Sequence, residues 1–464
     1  MKNKLDFAFD IKHVHFIGIG GISMSGLAEI LLQDGYTVSG SDRSESDITR
    51  HLASCGIDVK LGASAAHIVE GIDLVVYTAA IRPDNPELMA AREKNIPVID
   101  RAKLLGAIMK GYEYSVAVSG VHGKTTTTAI VAELMLAAGL DPTISIGGYM
   151  ETIGSNFRMG NSQYMVLEAC EYHDSFLQFY PHVGIILNID CDHMDYFGSL
   201  DGLVASFRKF AQNIPKEGAL VIHNAIPCLG AVVEGLTCNI ITYGEGGRFQ
   251  AKEVNFDADG FPSFYIIEAD TEIANVKLNL RGRHNIDNAL AAAAVAGFLG
   301  VSPEAMVAGL EKTAGTKRRF EHKGSYKGIS VVDDYAHHPT EIKATLEAAT
   351  NGCYRRIICA FQPHTYTRTQ NLMDEFSTAF DFADEVLILP TYASRELSTD
   401  SDPHYLAKLL AQKIVENDVN ARFVESFMAA SDWIKENAEA NDLLITMGAG
   451  DIHILGEGLI SGEL

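Results

Sequence analysis

The run Ser119-Gly120-Val121-His122-Gly123-Lys124-Thr125-Thr126-Thr127-Thr128 follows the apolar stretch that starts at Tyr114 and opens a helical pattern reaching Ala138. A buried strand, a glycine-rich turn and a helix, in that order, predict a phosphate-binding α/β unit. Glycines let the backbone N–H groups of Gly120, Val121, His122 and Gly123 wrap phosphate oxygens, and the helix start adds partial positive charge. Lys124 reaches toward terminal phosphates, Thr126 lies on the same turn, and the Thr125 hydroxyl suits a Mg²⁺ shell. The familiar G-x-x-x-x-G-K-[ST] spacing would put its first glycine at 118, where this chain has Val118, so the loop is a shorter variant.

A second glycine-rich turn lies upstream, at Gly18-Ile-Gly20-Gly21-Ile-Ser23-Met24-Ser25-Gly26. It too follows a strand pattern, His13–Ile19, and opens a helix. Asp42 ends the next strand, where an acid holds ribose hydroxyls in dinucleotide folds. The dinucleotide fingerprint requires glycine at position 23, which is serine here. The turn therefore points to a diphosphate-bearing nucleotide rather than to NAD.

Around these two turns the pattern repeats. Strands are expected at 36–41, 73–78, 163–168 and 183–189, with helices at 25–33, 86–94 and 285–299. The stretch 237–281 alternates in hydropathy, carries turn signals such as Asp259-Gly260, and reads as an antiparallel β section. Beyond Gly315, strands at 329–333, 356–361, 385–389 and 442–446 interleave with helices near 340–350, 371–380 and 404–416. The fold class is α/β with three successive doubly wound units: 1–110, 111–314 and 315–464.

Composition agrees. With 464 residues, roughly 150 per domain gives about three domains. The 47% hydrophobic content supports packed cores, and the formal charge of −23 argues against sequence-independent nucleic-acid binding. No apolar run approaches the ~20 residues of a membrane span. The N-terminus lacks a signal-peptide core, and seven cysteines without a C-x-x-C pair suit a reducing cytoplasm.

Carboxylates suggest where a metal sits. Glu168 ends the strand of Met165-Val-Leu-Glu-Ala-Cys-Glu171, and Asp190-Cys-Asp192-His193-Met-Asp195 follows the next strand. Strand C-terminal ends are where open α/β sheets bind ligands.

Taken together the motifs resemble the Mur ligase family. The carrying segments are His15-Phe-Ile-Gly-Ile-Gly-Gly-Ile-Ser-Met-Ser-Gly26, Gly120-Val-His-Gly-Lys-Thr-Thr126, Glu168-Ala-Cys-Glu-Tyr-His-Asp-Ser-Phe-Leu177 and Asn188-Ile-Asp-Cys-Asp-His193. They continue with Gly282-Arg-His-Asn-Ile-Asp-Asn288, Asp333-Asp-Tyr-Ala-His-His-Pro-Thr-Glu341, Phe361-Gln-Pro-His-Thr-Tyr-Thr-Arg368 and Gly448-Ala-Gly-Asp451. The resemblance implies a UDP-substrate domain with a Rossmann-like sheet, a central P-loop ATPase domain, and a Rossmann-like C-terminal domain that closes on the site. It implies a cytoplasmic ATP- and Mg²⁺-dependent enzyme of peptidoglycan synthesis. The lactyl carboxylate of UDP-N-acetylmuramate would be phosphorylated by ATP, and L-alanine would attack the acyl phosphate. A sister activity, adding a recycled tripeptide to the same nucleotide, is the alternative. No obligate protein partner is implied.

The same resemblance assigns roles. ATP falls to Gly120, Val121, His122, Gly123, Lys124, Thr125, Thr126, Asn285, Arg319 and Asp334. The metal falls to Thr125, Glu168 and His193. The UDP-sugar falls to Gly18, Gly20, Gly21, Ser23, Met24, Ser25, Asp42 and His67, and the substrate carboxylates to His364 and Arg368. Lys124, His338 and Arg368 carry the catalytic roles, with His338 favoured over His337. The family's Q-P-H-R-Y-T-R run reads Gln362-Pro-His-Thr365-Tyr-Thr-Arg368 here, so one arginine is missing, and Arg395 is the expected substitute. An NAD-linked oxidoreductase is disfavoured by Ser23, and a binding-only protein by the intact Lys124, Thr125 and Glu168.

Overall fold

The computed structural model describes residues 5, 7, 9–78, 81–192, 194–394, 396, 402 and 404–464. Three sheets organise them. The first has five parallel strands in the order Asp58–Leu61, Thr37–Asp42, His13–Ile17, Leu74–Tyr77, Val98–Asp100. The order reverses beside His13–Ile17, and the turn at Gly18 leaves that strand's C-terminal end. A crevice at such a reversal is where doubly wound sheets take ligands.

The second sheet has ten strands. Its parallel core contains Tyr114–Ser119, flanked by Tyr164–Glu168 on one side and Val183–Ile186 on the other, then Ala219–His223 and Asn239–Tyr243. Thr143–Met150 pairs parallel with Tyr164–Glu168 and antiparallel with the edge strand Ser155–Arg158. The opposite edge is Phe249–Phe256, Pro262–Glu268 and Thr271–Lys277, neighbours in chain order. Ala269 and Asp270, both at positive φ, join the last two in the two-residue turn typical of hairpins. The expected antiparallel section is thus present, but it starts later than 237: Asn239–Tyr243 still pairs parallel with its neighbour.

The third sheet runs Glu321–Tyr326, Ile329–Asp334, Asp442–Met447, Arg356–Phe361, Glu385–Ile388, Ala421–Phe423. All its pairs are parallel except the first hairpin. The fold class is therefore α/β throughout, as expected. The helix expected at 371–380 lies earlier and is broken, as Tyr366–Asn371 and Met373–Ser377.

The chain divides into two compact units. One gathers the residues up to Gln250 with Ile266–Ala274 and Asn288–Gly309; the other gathers Ala251–Tyr265, Asn275–Asp287 and Leu310–Leu464. Within the first unit the first sheet's layer and the second sheet share a hydrophobic core. Helix Ile22–Gln33 meets strand Ser155–Arg158 so closely that a Cβ on Gly26 would lie 2.5 Å from the Phe157 ring. Among the described residues no helix is long and apolar enough to cross a membrane.

Candidate active site

In the first unit both glycine-rich turns are built as the sequence suggests. Gly18 has φ 83°, and the N–H groups of Gly18 and Ile19 donate to Ser41 O. Gly20 N donates to Asp42 Oδ2 at 2.8 Å, and a Cβ on Gly20 would lie 2.8 Å from that same oxygen. Gly20 is therefore required by the approach of Asp42, whose one carboxylate oxygen shapes the turn. Gly21 caps helix Ile22–Gln33, with Ser23 half-buried on its first turn. Met24 and Ser25 turn inward: Met24 is buried and the Ser25 hydroxyl donates to Ile22 O. Their side chains therefore pack within the first unit.

His67 ends a short 3-10 turn, with Nδ1 3.3 Å from Glu87 Oε1. Glu87 is fully buried, and it also accepts from His15 Nε2 at 2.9 Å, Ser41 Oγ at 2.8 Å and Ser64 N at 3.3 Å. Burial opposes ionisation of Glu87, but the His15 and Ser41 bonds outweigh it and hold the pKa below the ordinary carboxylate value. Nothing in the sequence singled Glu87 out; it is a helix-start acid like many others.

The second turn is built on two glycines at positive φ. Gly120 and Gly123 have φ 137° and 83°. A Cβ on Gly120 would lie 2.9 Å from Leu187 Cβ, and one on Gly123 2.9 Å from Asn288 Oδ1. Asn188 clamps the loop from the neighbouring strand end, accepting from His122 N at 2.9 Å and donating to His122 O at 3.0 Å. His122 Nε2 lies 3.4 Å from Asp190 Oδ2. Helix Lys124–Ala137 then begins, with Thr126 half-exposed on its first turn. Val121 is buried and contributes backbone rather than side chain.

Lys124 Nζ donates to Gly120 O at 2.5 Å, to Val121 O at 3.0 Å and to Glu171 Oε2 at 2.9 Å. Burial disfavours its charge, yet the Glu171 carboxylate prevails and raises the pKa above the ordinary lysine value. Glu171 ends the run Glu168-Ala-Cys-Glu171, whose spacing alone does not mark it as the partner of Lys124. One residue on, the Thr125 hydroxyl donates to Glu168 Oε2 at 2.9 Å, and Gly147 N donates to the same oxygen at 2.8 Å. A hydroxyl and a carboxylate side by side at a strand end are oxygen donors of the kind Mg²⁺ takes, so the residues fit that ion. His193 lies outside the described residues.

The second unit carries its own cluster at the C-terminal ends of Ile329–Asp334 and Arg356–Phe361. Asp334 accepts from Ala336 N at 2.8 Å and Phe320 N at 2.7 Å. Burial pushes its pKa up to about 6, with Arg319 pulling the other way. The Arg319 guanidinium lies over the Tyr335 ring, 5.2 Å from its centre. Its neighbour Arg318 is a structural tie, bonded to Asp333 Oδ2, Gly448 O and Gly450 O. Asn285 is buried and donates to Arg281 O at 2.7 Å.

His338 caps helix Pro339–Thr350, its Nδ1 accepting from Thr340 N at 3.4 Å. Its neighbour His337 lies close to His364. Its Nδ1 donates to Tyr335 O at 3.0 Å, and its ring lies edge-on to His364 at 5.9 Å. His364 stacks on Tyr392, and its Nδ1 lies 3.4 Å from an Arg368 guanidinium nitrogen. A guanidinium only donates, so Nδ1 accepts and His364 is neutral. Burial and then Arg368 push the His364 pKa down to about 4. His337 is likewise held at about 4, by burial first and then, against Glu341, by Arg368. Both histidines precede Pro339, and the structure gives them different partners: His338 caps the helix and His337 lies beside His364. Arg395 lies outside the described residues.

Family models match nearly end to end: "Mur ligase family, catalytic domain" over residues 13–113, "Mur ligase middle domain" over 118–296, and "Mur ligase, glutamate ligase domain" over 318–450. The chain belongs to the Mur ligase family. This Mur ligase is 49% identical to the UDP-N-acetylmuramate–L-alanine ligase of Acetivibrio thermocellus over 96% of its own length and 95% of that protein's. It is 47% identical to the enzyme of the same description from Agathobacter rectalis, covering 98% and 99% of the two chains. Among solved structures it resembles the UDP-N-acetylmuramate–alanine ligase of Thermotoga maritima, with TM-score 0.78, 29% identity and coverage of 98% and 99%. It also resembles a murein peptide ligase of Psychrobacter arcticus, with TM-score 0.68, 25% identity and coverage of 97% and 98%.

Proposed function

We propose that this Mur ligase joins L-alanine to the lactyl carboxylate of UDP-N-acetylmuramate at the expense of ATP, in peptidoglycan precursor synthesis in the cytoplasm. The observation that carries the reading is the Lys124–Glu171 and Thr125–Glu168 pairing at a phosphate-binding turn. A carboxylate is a poor electrophile, and phosphorylation gives it a leaving group. The lactyl oxygen attacks the γ-phosphorus of ATP and ADP departs. The L-alanine amine then attacks the acyl carbon, loses a proton, and phosphate leaves.

Phosphoryl transfer needs chiefly positioning and neutralised charge. Gly120 to Thr126 hold the ATP phosphates with backbone N–H groups, and Lys124 leaves the loop carbonyls for the γ-phosphoryl oxygens while Glu171 keeps it protonated. Thr125, Glu168 and His193 would hold Mg²⁺, which would supply neutralisation of the phosphate charge. In the first unit Gly18, Gly20, Gly21, Ser23, Met24 and Ser25 offer the UDP diphosphate a helix start, and Asp42 and His67 face the uridine. In the second unit Asn285, Arg319 and Asp334 serve ATP. Arg368, with its planar donor fork, and His364 take a substrate carboxylate. His338 is the catalytic histidine of this reading, held at the start of the helix it caps.

The test is phosphate release from ATP with Mg²⁺ and UDP-N-acetylmuramate, offering L-alanine, glycine, L-serine or a muramyl tripeptide as acceptor. L-alanine is expected to give the highest kcat/KM. Turnover with the tripeptide and none with L-alanine would assign the chain to the peptide-recycling activity instead.

A further inference from the structure

Thr365 stands between His364 and Arg368 with φ 64° and ψ 145°. Positive φ is uncommon for any residue but glycine, and for a β-branched one it is an outlier. Residues held in such regions persist where their surroundings over-determine them, and they gather at functional sites. The surroundings here do so. Thr365 N donates to Tyr392 O at 2.9 Å, and Thr365 O accepts from the Thr369 hydroxyl at 2.7 Å. The Thr365 hydroxyl accepts from Arg368 N at 3.4 Å and so caps helix Tyr366–Asn371.

The reversal has a chemical consequence. His364 precedes the helix and Arg368 lies on it, yet the two side chains meet at 3.4 Å. Residues four apart meet as a matter of course when both are helical; here one is not, and the turn at Thr365 folds the His364 ring back over the first helical turn. The same turn puts that ring against Tyr392, 5.7 Å centre to centre.

We infer that Thr365 is a positioning residue: its hydroxyl cap and reversed backbone set the His364 ring and the Arg368 fork as one unit for a substrate carboxylate. The inference rests on the reading that Arg368 binds such a carboxylate. It makes the side-chain hydroxyl, and not merely a tolerant backbone, the feature that matters.

Three variants separate these properties: Thr365→Ser keeps the hydroxyl, Thr365→Val keeps the β-branch without it, and Thr365→Gly relaxes the backbone without it. Steady-state kinetics would be measured against L-alanine, UDP-N-acetylmuramate and ATP, with circular dichroism and melting to verify folding. Thr365→Ser is expected to match the wild type. Thr365→Val and Thr365→Gly are expected to raise KM for L-alanine or UDP-N-acetylmuramate at least fivefold, with KM for ATP unchanged and kcat within threefold. Wild-type KM values in both hydroxyl-less variants, while Arg368→Ala raises them, would overturn the role of Thr365 alone. Unchanged KM values in Arg368→Ala as well would overturn the carboxylate reading and the inference with it.

Discussion

The Lys124 ammonium and the Glu171 carboxylate lie 2.9 Å apart, the carboxylate almost wholly buried and the lysine nearly so. Separating such a pair leaves an uncompensated charge in a poorly solvated place. The pair therefore does two things at once: it keeps the lysine protonated and holds it at the phosphate turn. Lys124→Met is expected to cut turnover by about a thousandfold or more, because it removes a cation from developing phosphoryl charge. Glu171→Gln retains the cation and loses its anchor, so a smaller loss of about 10- to 100-fold is expected, as for groups that orient a primary contact. Phosphate-release rates at saturating substrates check both, and equal losses would contradict the anchoring role.

Thr125 and Glu168 offer a second separation. Their oxygens lie 2.9 Å apart, and Glu168 is also tied to Gly147 N. Thr125→Ala and Glu168→Gln are expected to raise the Mg²⁺ concentration for half-maximal rate about tenfold or more, with activity partly restored by excess Mg²⁺. Mn²⁺ binding followed by electron paramagnetic resonance in the presence of ATP supplies a readout independent of turnover; unaltered Mn²⁺ affinity in Glu168→Gln would exclude it as a ligand.

Much of this architecture was readable because apolar runs and glycines carry it. Tyr114–Ser119 and Arg356–Phe361 were legible residue for residue, since strands buried on both faces of a parallel sheet read as continuous apolar stretches. Asp58–Leu61 was not, because it is an edge strand with mostly exposed side chains and no such pattern. The placement of Lys124 and Thr125 at a helix start was legible because a glycine-rich turn between a buried strand and a helical pattern fixes where they fall. Glu87 and Glu171 were not, because what distinguishes them is burial and partners far away in sequence.

Packing between the first sheet's layer and the second sheet gives a prediction of a different kind. A Cβ at position 26 would lie 2.5 to 2.7 Å from three atoms of the Phe157 ring, closer than real carbon contacts come. The ring is rigid, so helix Ile22–Gln33 or strand Ser155–Arg158 must shift. Gly26→Ala is expected to destabilise by about 1–3 kcal/mol, the usual range for overpacking. The double variant with Phe157→Ala should be more stable than the sum of the two single changes. Thermal unfolding of the four proteins measures the coupling, and strict additivity would show that the contact does not limit the packing.

Asp334 and His364 respond to pH with opposite sign. Asp334 is pushed up to about 6, against about 3.9 for an unfolded chain, so the folded state holds its proton more tightly. Its contribution is fully present below pH 4 and is lost as pH rises through 6, a loss of about 3 kcal/mol at neutrality. His364 is held down at about 4, so here the unfolded chain binds the proton more tightly. Its contribution is present above pH 6.5 and is lost as pH falls toward 4. Melting temperatures of Asp334→Asn and His364→Gln, each compared with the wild type from pH 4.5 to 7.5, separate the two effects. The Asp334→Asn difference is expected to move in favour of the variant as pH rises, because the variant has no buried carboxyl to ionise. The His364→Gln difference is expected to move in favour of the variant as pH falls, because the variant has no ring to protonate beside Arg368. Parallel pH curves for either variant and the wild type would mean that the group titrates in the folded protein as it does in the unfolded chain, and that its burial beside these partners carries no electrostatic cost.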